Sequence, residues 1–533
     1  MLVEAGMFSG AEPPPSEEET PIQEKCGIAC IHSKRPQDMR YLALQMGKSL
    51  EHRGPQSTGI GIASPGRMHV IGGFGPLLEG LDSPLLQQID GEVDAIGIHT
   101  RWATEGGNTR QNIQPILCKT PEGETFQMYV NGNTPGFREL LDGIGYMLPE
   151  DISDTVVLAH ALATAPRSTL EEKMQWLLDQ NVVKNSAYCM VVIAGDMAAN
   201  IRVLYARDQF ELHPLSIGKL GDDMIILASE TCAFDEIGAK PLRQVRRGEF
   251  GRIDKNGITV LNKGLEYAGE GTARCLFERV YFMRPDSLEE SGDDPNTWPR
   301  IAVGRYRIGQ MMAKAYLSQL NIDNITAVPD SGNFFAQGVA NASGGECTSV
   351  IIKKRPIRTF TMNAGDQETM DEIDKKFAFI GPMIRGRRLL IVDDTLVKGN
   401  TTRRITQKLR DLGALEVHWF FGLSEIIDDC HLGANLKGGK NMLARIHNRD
   451  WAAIAQGIGA DSIRFPTYEM VVRALHDESR GEIVTPNEQK FIFLANGWCG
   501  GCITGEHPAD MQGNRNIYYA GGSTSGSLVI PSD

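Results

Sequence analysis

Residues 387–402, RRLLIVDDTLVKGNTT, combine an apolar run, two adjacent carboxylates and a turn rich in Gly and Thr. The apolar run predicts a buried strand that ends at Asp393 and Asp394, and TTRRITQKLRDLG predicts the helix that follows. A helix N-terminus offers a phosphate unpaired N–H groups and a favourable dipole. The two aspartates, at the carboxyl end of a strand, could bind ribose hydroxyls directly or through Mg²⁺. The segment therefore predicts a sugar-phosphate site, and an ordinary strand-to-helix turn is the alternative.

Cysteines form the second group of residues that could take part in chemistry. Cys499 and Cys502 make a CxxC in WCGGCITGEHP, which by itself could bind zinc, act in redox exchange or have no special role. Cys26 begins the apolar run CGIACI, and its simplest interpretation is a small buried residue before the first strand. Ten cysteines among 533 residues, mostly far apart, favour a reducing compartment over a disulfide framework.

Length and composition limit the classes of protein. At roughly 150 residues per domain, 533 residues allow two to four domains, each with its own core. A net charge of −13 argues against a general binder of nucleic acid or membrane surfaces, although a local basic site for an anionic substrate is compatible with it. The sequence contains no apolar run near the roughly 18 to 20 residues that cross a bilayer. These features indicate a multidomain globular protein.

The first 25 residues differ from the rest of the chain. They contain six glutamates, one lysine and four prolines. Such a segment buries too little apolar surface to offset the entropy lost on ordering, and it lacks the basic start and apolar stretch of a secretory signal. It predicts a disordered extension.

The elements that must position these residues follow two patterns. From Cys26 to about residue 250 the sequence alternates strands with Gly-rich turns, and MRYLALQMGKSLEHRG predicts a helix closed by Gly54. A second helix, DTVVLAHALATA, is predicted to begin at Ser153 or Asp154. From about residue 300, helices alternate with buried strands, which predicts a parallel, doubly wound sheet.

The segment IVDDTLVKGNTT resembles the phosphoribosyl pyrophosphate (PRPP) signature of phosphoribosyltransferases, and VKGNTTRRI is similar to the form in glutamine PRPP amidotransferases. The resemblance extends in order through CGIACI, LEHRGPQSTGIGIA, HTRWATEG, SDTVVLAHAL, ASETCAFDEIGA, CLFERVYFMRPDS and AVPDSGNFFAQGVA. It implies an α/β and α+β fold class, with an N-terminal nucleophile (αββα) glutaminase domain and a doubly wound parallel-sheet phosphoribosyltransferase domain. The implied divisions are a propeptide or disordered extension at 1–25, a type 2 glutamine amidotransferase domain at 26–265, a phosphoribosyltransferase domain with a Cys-rich end at 266–510, and a tail at 511–533.

The resemblance gives Cys26 a role. In this family a propeptide is removed, the cysteine becomes residue one, and its thiolate attacks the side-chain amide of glutamine with its own α-amine as base. The implied oxyanion donors are Asn131 and Gly132. Arg101 would hold the α-carboxylate of glutamine and Asp154 its α-ammonium. Arg53, next to Gly54, would line the same pocket.

The second implied site takes ammonia from the first and uses it to displace pyrophosphate from PRPP, giving 5-phosphoribosylamine. The resemblance assigns Mg²⁺ to Ser331, Asp393 and Asp394. It assigns the 5′-phosphate cradle to Thr395, Lys398, Gly399, Asn400, Thr401 and Thr402. This reaction is the first step of de novo purine synthesis in the cytoplasm. The family also implies inhibition by purine nucleotides and a homo-oligomer, either dimer or tetramer.

Four cysteines match the ligands of the 4Fe-4S cluster that some members of the family carry: Cys275, Cys430, Cys499 and Cys502. By chemistry alone, four thiolates suit either a 4Fe-4S cluster or tetrahedral zinc. The placement in the chain favours the cluster, and the other cysteines apart from Cys26 are expected to be ordinary thiols.

Several positions depart from the family pattern. Residues 359–383, which correspond to the loop that closes over PRPP, contain no arginine, so Lys375, Lys376 or residues elsewhere in the chain would have to contact pyrophosphate. His213 stands where relatives have arginine. These departures leave two alternatives: a divergent paralogue that uses another sugar phosphate, and a catalytically impaired regulatory subunit.

Overall fold

The computed structural model describes the greater part of the chain. The described residues are 6–9, 26–77, 91–103, 107–142, 149, 151–195, 200–262, 272–354, 375–430, 432, 436, 439–476 and 482–508. Every structural statement below refers to these residues. None of the helices found in them is both long enough and apolar enough to span a bilayer.

Two sheets form the first part of the chain. Eight strands make one sheet, in the order β1-β4-β3-β5-β2-β11-β10-β12, and six make the other, in the order β14-β13-β9-β8-β7-β6. Their bounds are β1 (Gly6–Ser9), β2 (Gly27–Gln37), β3 (Ser57–Ser64), β4 (Arg67–Phe74), β5 (Val93–Arg101), β6 (Ile116–Lys119), β7 (Thr125–Asn133), β8 (Ala187–Gly195), β9 (Ile201–Arg207), β10 (Ser216–Leu220), β11 (Met224–Ala228), β12 (Lys240–Gln244), β13 (Phe250–Asp254) and β14 (Gly257–Asn262).

Helices cover the outer faces of both sheets. They are α1 (Arg40–Ser49), α2 (Glu139–Asp142), α3 (Asp154–Thr164), α4 (Leu170–Leu178), α5 (Asn181–Lys184) and α6 (Cys232–Ile237). Apolar residues of α1 and α6 pack on the eight-stranded sheet, and those of α3 and α4 pack on the six-stranded sheet. A third core, which includes Ile28, Tyr129 and Val191, fills the space between the sheets. The layers are therefore helix, sheet, sheet and helix.

Two predicted helix boundaries have different outcomes. The second helix begins at Asp154 with Ser153 as its N-cap residue, as the sequence predicts. The first ends at Ser49, and the one-turn 3₁₀ helix Glu51–Arg53 follows it. Gly54, in an extended conformation (φ −171°), is the C-cap of that 3₁₀ helix, so the helical segment ends at the predicted glycine although its last turn is 3₁₀ rather than α. A Cβ at Gly54 would overlap the backbone of Arg101 and Trp102, and close packing of two chain segments is the reason for glycine there.

Residues 6–9 correct the prediction that the whole prefix is disordered. Gly6–Ser9 form β1, which pairs in parallel with β4 from Gly6 opposite Val70 to Ser9 opposite Gly73. Without this strand, β4 would be the edge of the sheet. Backbone pairing at a sheet edge can order four residues that could not bury a core of their own.

The second part contains a parallel sheet in the order β16-β19-β20-β21, a hairpin of β17 and β18, and the short pair β15 and β22. The strands are β15 (Arg274–Cys275), β16 (Asn324–Ala327), β17 (Ile351–Lys353), β18 (Phe377–Phe379), β19 (Arg388–Asp393), β20 (Glu416–Phe421), β21 (Ser462–Arg464) and β22 (Trp498–Cys499). The helices are α7 (Ile301–Tyr316), α8 (Asn333–Ser343), α9 (Gly381–Ile384), α10 (Asn400–Asp411), α11 (Leu443–Ile446), α12 (Trp451–Ile458), α13 (Tyr468–Leu475), α14 (Ile492–Ala495) and α15 (Gly501–Thr504). Other short turns are the 3₁₀ helices Arg110–Asn112, Pro295–Thr297, Leu317–Gln319, Gly439–Asn441 and Gln489–Phe491 and the π-helix Glu278–Phe282.

Both faces of the parallel sheet are buried. In β19, Leu390 and Val392 pack with α7, α8 and α13, and Leu389 and Ile391 pack with α10 and α12. This explains why RRLLIVDD is continuously apolar rather than alternating. The expected doubly wound sheet therefore forms, and its carboxyl edge carries Asp393.

Glycines let α7 and α8 pack closely. A Cβ added at Gly338 of α8 would overlap the carbonyl of Tyr306 in α7. We expect Gly338→Ala to lower the free energy of unfolding by about 1 to 3 kcal/mol, because the helices must separate. Urea unfolding followed by circular dichroism measures the change.

The matched control is Gly457→Ala in α12, where an added Cβ meets only the side chain of His447, at 3.2 Å. Removing a helix glycine there should leave stability unchanged or raise it by up to about 1 kcal/mol. Equal effects of the two substitutions would contradict the close-packing explanation.

Candidate active sites

Cys26 lies directly before β2, beside the end of β5. Its thiol lies 3.8 Å from the carbonyl oxygen of Trp102 and is half-buried. Burial raises the pKa of the Cys26 thiol, and the nearby Arg101 guanidinium partly offsets this effect. Near neutral pH the free side chain is therefore a thiol, so it needs a base before it can act as a nucleophile.

Arg101 and Asp154 lie close enough to Cys26 to influence its ionisation. Arg101 ends β5, is buried, and donates from Nη1 to the carbonyl of Gly107 at 2.9 Å; burial lowers the pKa of its guanidinium. Asp154 is held at the start of α3, where Oδ1 accepts from Thr155 N–H (2.7 Å) and Oδ2 from Thr134 N–H (3.0 Å). The structure thus brings three of the predicted site residues together.

Asn131 and Gly132 lie near the end of β7. The side-chain Nδ2 and Oδ1 atoms of Asn131 are buried, and neither has a hydrogen-bond partner among the described residues. An unsatisfied buried amide usually costs stability, so it is a signal of a ligand that completes it. A Cβ at Gly132 would overlap the carbonyl of Ala187 on β8, which explains glycine at this position.

Two residues that sequence reasoning missed hold this strand in place. The Gln114 side chain accepts from the N–H of Val130 (2.6 Å) and donates to its carbonyl (3.2 Å), and His99 Nε2 lies 3.2 Å from the same carbonyl. Burial lowers the pKa of His99 to about 3, so the imidazole is neutral. Both side chains fix the backbone one residue before Asn131. Their roles depend on pairing between sheets, which no local motif reveals.

Arg53, predicted to line the pocket, lies behind Cys26 and is fully buried. Its Nε donates to the carbonyl of Cys26 (3.1 Å), Nη1 pairs with Glu230, and Nη2 pairs with Glu278 (2.6 Å). Burial opposes the ionised form of Glu230, yet His52 and Arg53 lower its pKa to about 2. The two glutamates are further residues that the sequence analysis did not identify. The substrate-binding role of Arg53 stays a prediction.

A second cluster lies at the carboxyl edge of the parallel sheet. Asp393 ends β19, and its Oδ1 accepts from Ser331 Oγ (3.3 Å) and from Asp394 N–H (2.9 Å). Thr395 donates its hydroxyl to Asp394 (2.7 Å). Ser331 comes from the turn between β16 and α8, so neighbouring strand ends bring the three predicted Mg²⁺ residues together. Burial, and then the Asp394 carboxylate, raise the pKa of Asp393 well above its usual range.

The predicted phosphate cradle forms the turn between β19 and α10. Gly399 has φ 74°, a conformation that favours glycine, and α10 begins at the next residue, Asn400. Thr402 is buried in the first turn, whereas Thr401 is exposed. Thr395 and Lys398 lie in the same turn, before Gly399. All six predicted residues therefore surround one helix N-terminus beside Asp393.

Only the end of the arginine-free loop belongs to the described residues, because residues 359–374 lie outside them. The charge of Lys376 acts to lower the pKa of Asp393, so this lysine faces the carboxylate cluster. Its ammonium also lies 5.3 Å from the ring centroid of Phe377. A role for Lys375 or Lys376 in binding pyrophosphate stays a prediction.

The four predicted cluster cysteines converge in space. Cys275 and Cys499 are opposite each other in the β15–β22 pair. Burial raises the pKa of the Cys502 thiol, and the thiols of Cys275, Cys430 and Cys499 add to the effect. Among the described residues, however, no three His, Cys, Asp or Glu side chains form a group that could hold a metal ion. The mutual influence of the four thiols supports their lying in one region of the fold.

Asp393 makes a pH-dependent contribution to stability. Its folded pKa is raised, so the folded state loses stability as pH rises above about 4, the unfolded carboxyl pKa. We expect Asp393→Asn to be more stable than wild type at pH 7 without Mg²⁺, and the difference to vanish near pH 4. Thermal unfolding across pH measures it.

The control for this prediction is Asp411→Asn, which changes an exposed carboxyl at the end of α10. It should shift stability little at either pH. A difference between wild type and Asp393→Asn that stays constant with pH would show that ionisation of Asp393 is not its cause.

Curated relatives match almost the whole chain, although no protein-family model matches it. Amidophosphoribosyltransferase of Bacillus subtilis is 30% identical over 495 residues, which is 92% of this chain and 95% of that protein. The enzyme of the same name from Archaeoglobus fulgidus is 29% identical over 92% of this chain and 99% of its own length. The rat enzyme is 27% identical over 93% of this chain and 99% of its own.

Two solved structures confirm the predicted fold class. One is described as the allosteric regulatory enzyme of purine biosynthesis; it has a TM-score of 0.76 and 28% identity, covering 91% of this chain and 96% of its own. The other is glutamine PRPP amidotransferase from B. subtilis with ADP and GMP, with a TM-score of 0.75 and 27% identity over 91% and 97%. The two sites described above therefore occur in a chain that belongs to the amidophosphoribosyltransferase family.

Proposed function

We propose that this protein is a glutamine-dependent amidophosphoribosyltransferase. It hydrolyses glutamine at Cys26 and transfers the ammonia to PRPP, producing 5-phosphoribosylamine, pyrophosphate and glutamate in the first committed step of purine synthesis. The observation that carries the proposal is the presence of two separate constellations in one chain, Cys26 with Arg101 and Asp154, and Ser331 with Asp393 and Asp394.

The first half-reaction begins after removal of residues 1–25, which makes Cys26 the N-terminal residue. Its α-amine, with an ordinary pKa near 8, takes the thiol proton, and the thiolate attacks the amide carbon of glutamine. The resulting oxyanion is stabilised by the Asn131 amide and the Gly132 N–H. When this intermediate collapses, the C–N bond breaks. The departing nitrogen takes the proton that the α-amine had accepted from the thiol and leaves as ammonia. Water then hydrolyses the thioester to glutamate.

Charge selects the substrate at this pocket. The guanidinium of Arg101 fits the α-carboxylate of glutamine, and the carboxylate of Asp154 fits its α-ammonium. Both side chains are buried, which strengthens these interactions relative to those in water. Arg53 completes the wall behind Cys26.

The second half-reaction takes place at the carboxyl edge of the parallel sheet. The 5′-phosphate of PRPP binds the Thr395–Thr402 turn, and its ribose hydroxyls face Asp393 and Asp394. Ser331, Asp393 and Asp394 would hold Mg²⁺, which neutralises the charge of the departing pyrophosphate. A pair of carboxylates with substrate oxygens completing the shell is the usual form of such a site. Ammonia attacks C1 as the bond to pyrophosphate breaks.

The four converging thiols of Cys275, Cys430, Cys499 and Cys502 are proposed to hold a 4Fe-4S cluster. Four thiolates suit either such a cluster or tetrahedral zinc by chemistry alone. Their places in the chain, which match the ligand positions of cluster-bearing members of the family, support iron and sulfur. The backbone N–H of Glu278 donates to Cys275 Sγ at 3.4 Å, a contact that also stabilises cluster thiolates. Through these four thiolates, Cys275, Cys430, Cys499 and Cys502 would hold their chain segments together around the cluster.

Other parts of the proposal rest on the family resemblance. The B. subtilis structure with bound ADP and GMP supports the binding of purine nucleotides, which we propose to act as inhibitors of this chain. By the same resemblance we propose a cytoplasmic homo-oligomer, either a dimer or a tetramer, and domain boundaries near residues 25, 265 and 510.

The proposal is tested by pyrophosphate release from PRPP with glutamine or with ammonium chloride. We expect Cys26→Ala to abolish the glutamine-dependent reaction and to keep the ammonia-dependent one, because only the first site loses its nucleophile. Cys347→Ala, which removes a thiol outside both sites, should keep both activities.

Three outcomes would count against this function. Loss of both activities in Cys26→Ala would contradict two separable sites. Glutamine hydrolysis without pyrophosphate release in the wild type would favour a paralogue that uses another sugar phosphate. A chain that still begins at Met1 and hydrolyses no glutamine would favour a regulatory subunit.

The cluster has its own test. Anaerobically purified protein should contain about four irons and four inorganic sulfides per chain and absorb visible light as an iron–sulfur protein. Cys430→Ser should reduce the iron content, whereas Cys347→Ser should not. Stoichiometric zinc in place of iron would refute the assignment.

A further inference from the structure

A buried network of charges lies directly behind the glutamine pocket. Its centre is the Arg53 guanidinium, paired with the carboxylates of Glu230 and Glu278. His52 lies 2.9 Å from Glu230, and His213 lies 3.2 Å from Glu278. Arg53, Glu230 and Glu278 are all fully buried. Burying such charges is costly and often adds little net stability. What the network does provide is a fixed geometry for the groups that it contacts.

Arg53 uses each of its three nitrogens to fix a different group. Nε donates to the carbonyl of Cys26, while Nη1 and Nη2 are held by the two carboxylates. The planar guanidinium therefore cannot rotate without breaking at least one buried ion pair. Under the proposed function, Cys26 is a chain terminus with a single covalent neighbour. The position of its thiol then depends on the contacts of its own backbone.

Glu278 connects this arrangement to the second part of the chain. It begins the π-helix Glu278–Phe282, three residues after Cys275. Its N–H donates to Cys275 Sγ (3.4 Å), and its side chain holds Arg53 (2.6 Å). A continuous path of hydrogen bonds thus runs from Cys275 through Glu278 and Arg53 to the carbonyl of Cys26.

We infer that Glu278 is a positioning residue for the glutaminase reaction: it holds Arg53 against the Cys26 carbonyl and so couples the nucleophile to the segment that carries Cys275. The inference rests on the proposed function and deepens it. In this role Glu278 contacts no substrate and acts on catalysis through Arg53. The positions of the pocket residues Arg101 and Asp154 do not depend on it.

The test is Glu278→Gln in the full-length protein, with Glu289→Gln as matched control. Glu289 is also a largely buried glutamate that pairs with two arginines, Arg274 (2.6 Å) and Arg279 (3.1 Å), in the same segment. The ion pairs of Glu289 are with these two arginines, whereas those of Arg53 are with Glu230 and Glu278, so Glu289→Gln tests the loss of a buried ion pair that does not hold Arg53.

We expect Glu278→Gln to lower the glutamine-dependent kcat by roughly 10- to 100-fold, because small displacements of a reacting group have effects of this size. The KM for glutamine and the ammonia-dependent rate should change less than about twofold, since neither depends on Cys26 geometry. Alkylation of Cys26 by iodoacetamide should slow in parallel with kcat. Glu278→Leu, which removes the acceptor entirely, should be more severe than Glu278→Gln.

Two results would overturn the inference. One is an equal loss of kcat in Glu289→Gln; the other is a Glu278→Gln enzyme whose kcat and alkylation rate match wild type. The ammonia-dependent rate of the same preparation reports whether a variant has folded. A wild type that releases no pyrophosphate refutes the proposed function instead, and the alkylation rates of Cys26 still test Glu278 in that case.

Discussion

The pairing of Gly27 with Thr100 is the interaction on which the glutamine pocket depends. It places the start of β2 beside the end of β5, and therefore sets Cys26 next to Arg101 and Trp102. Cys26 immediately precedes β2 and Arg101 is the last residue of β5, so both lie at this end of the sheet. The second sheet is positioned relative to this pair because His99, adjacent to Thr100, contacts the carbonyl of Val130 in β7. This main-chain pairing and the side-chain contact of His99 together bring close in space residues of the pocket that lie far apart in the sequence.

Both candidate sites contain groups whose surroundings oppose ionisation or leave hydrogen bonds unsatisfied. Burial opposes ionisation of Cys26, Arg101 and Asp393, and the Asn131 amide lacks a partner among the described residues. A charged side chain or an unpartnered amide at these positions costs stability in the absence of a ligand. The surrounding cores, which are densely apolar in both parts of the chain, offset that cost. Substrates that supply the missing charges and hydrogen-bond partners therefore bind to sites that are already organised.

Local sequence predicted what depends on local chemistry. The apolar run before Asp393, the Gly-rich turn after it and the helix from Asn400 all formed as expected, because each depends on residues within one strand–turn–helix unit. The residues that the sequence did not reveal act at long range. Glu230 and Glu278 pair with Arg53 across 177 and 225 residues, and Gln114 acts through its strand partners. Strand β1 was missed because edge pairing, rather than its own hydrophobicity, orders it.

The pairing of β1 with β4 has a consequence for maturation. Under the proposed function, residues 1–25 are the segment that processing would remove, and within it Gly6–Ser9 pair with residues 70–73 on the outer side of β4. Cutting the peptide bond before Cys26 would separate this strand covalently from the rest of the chain. Its departure would leave N–H and C=O groups of β4 open to pairing with another extended chain. The uncleaved prefix therefore protects a sheet edge that processing would expose.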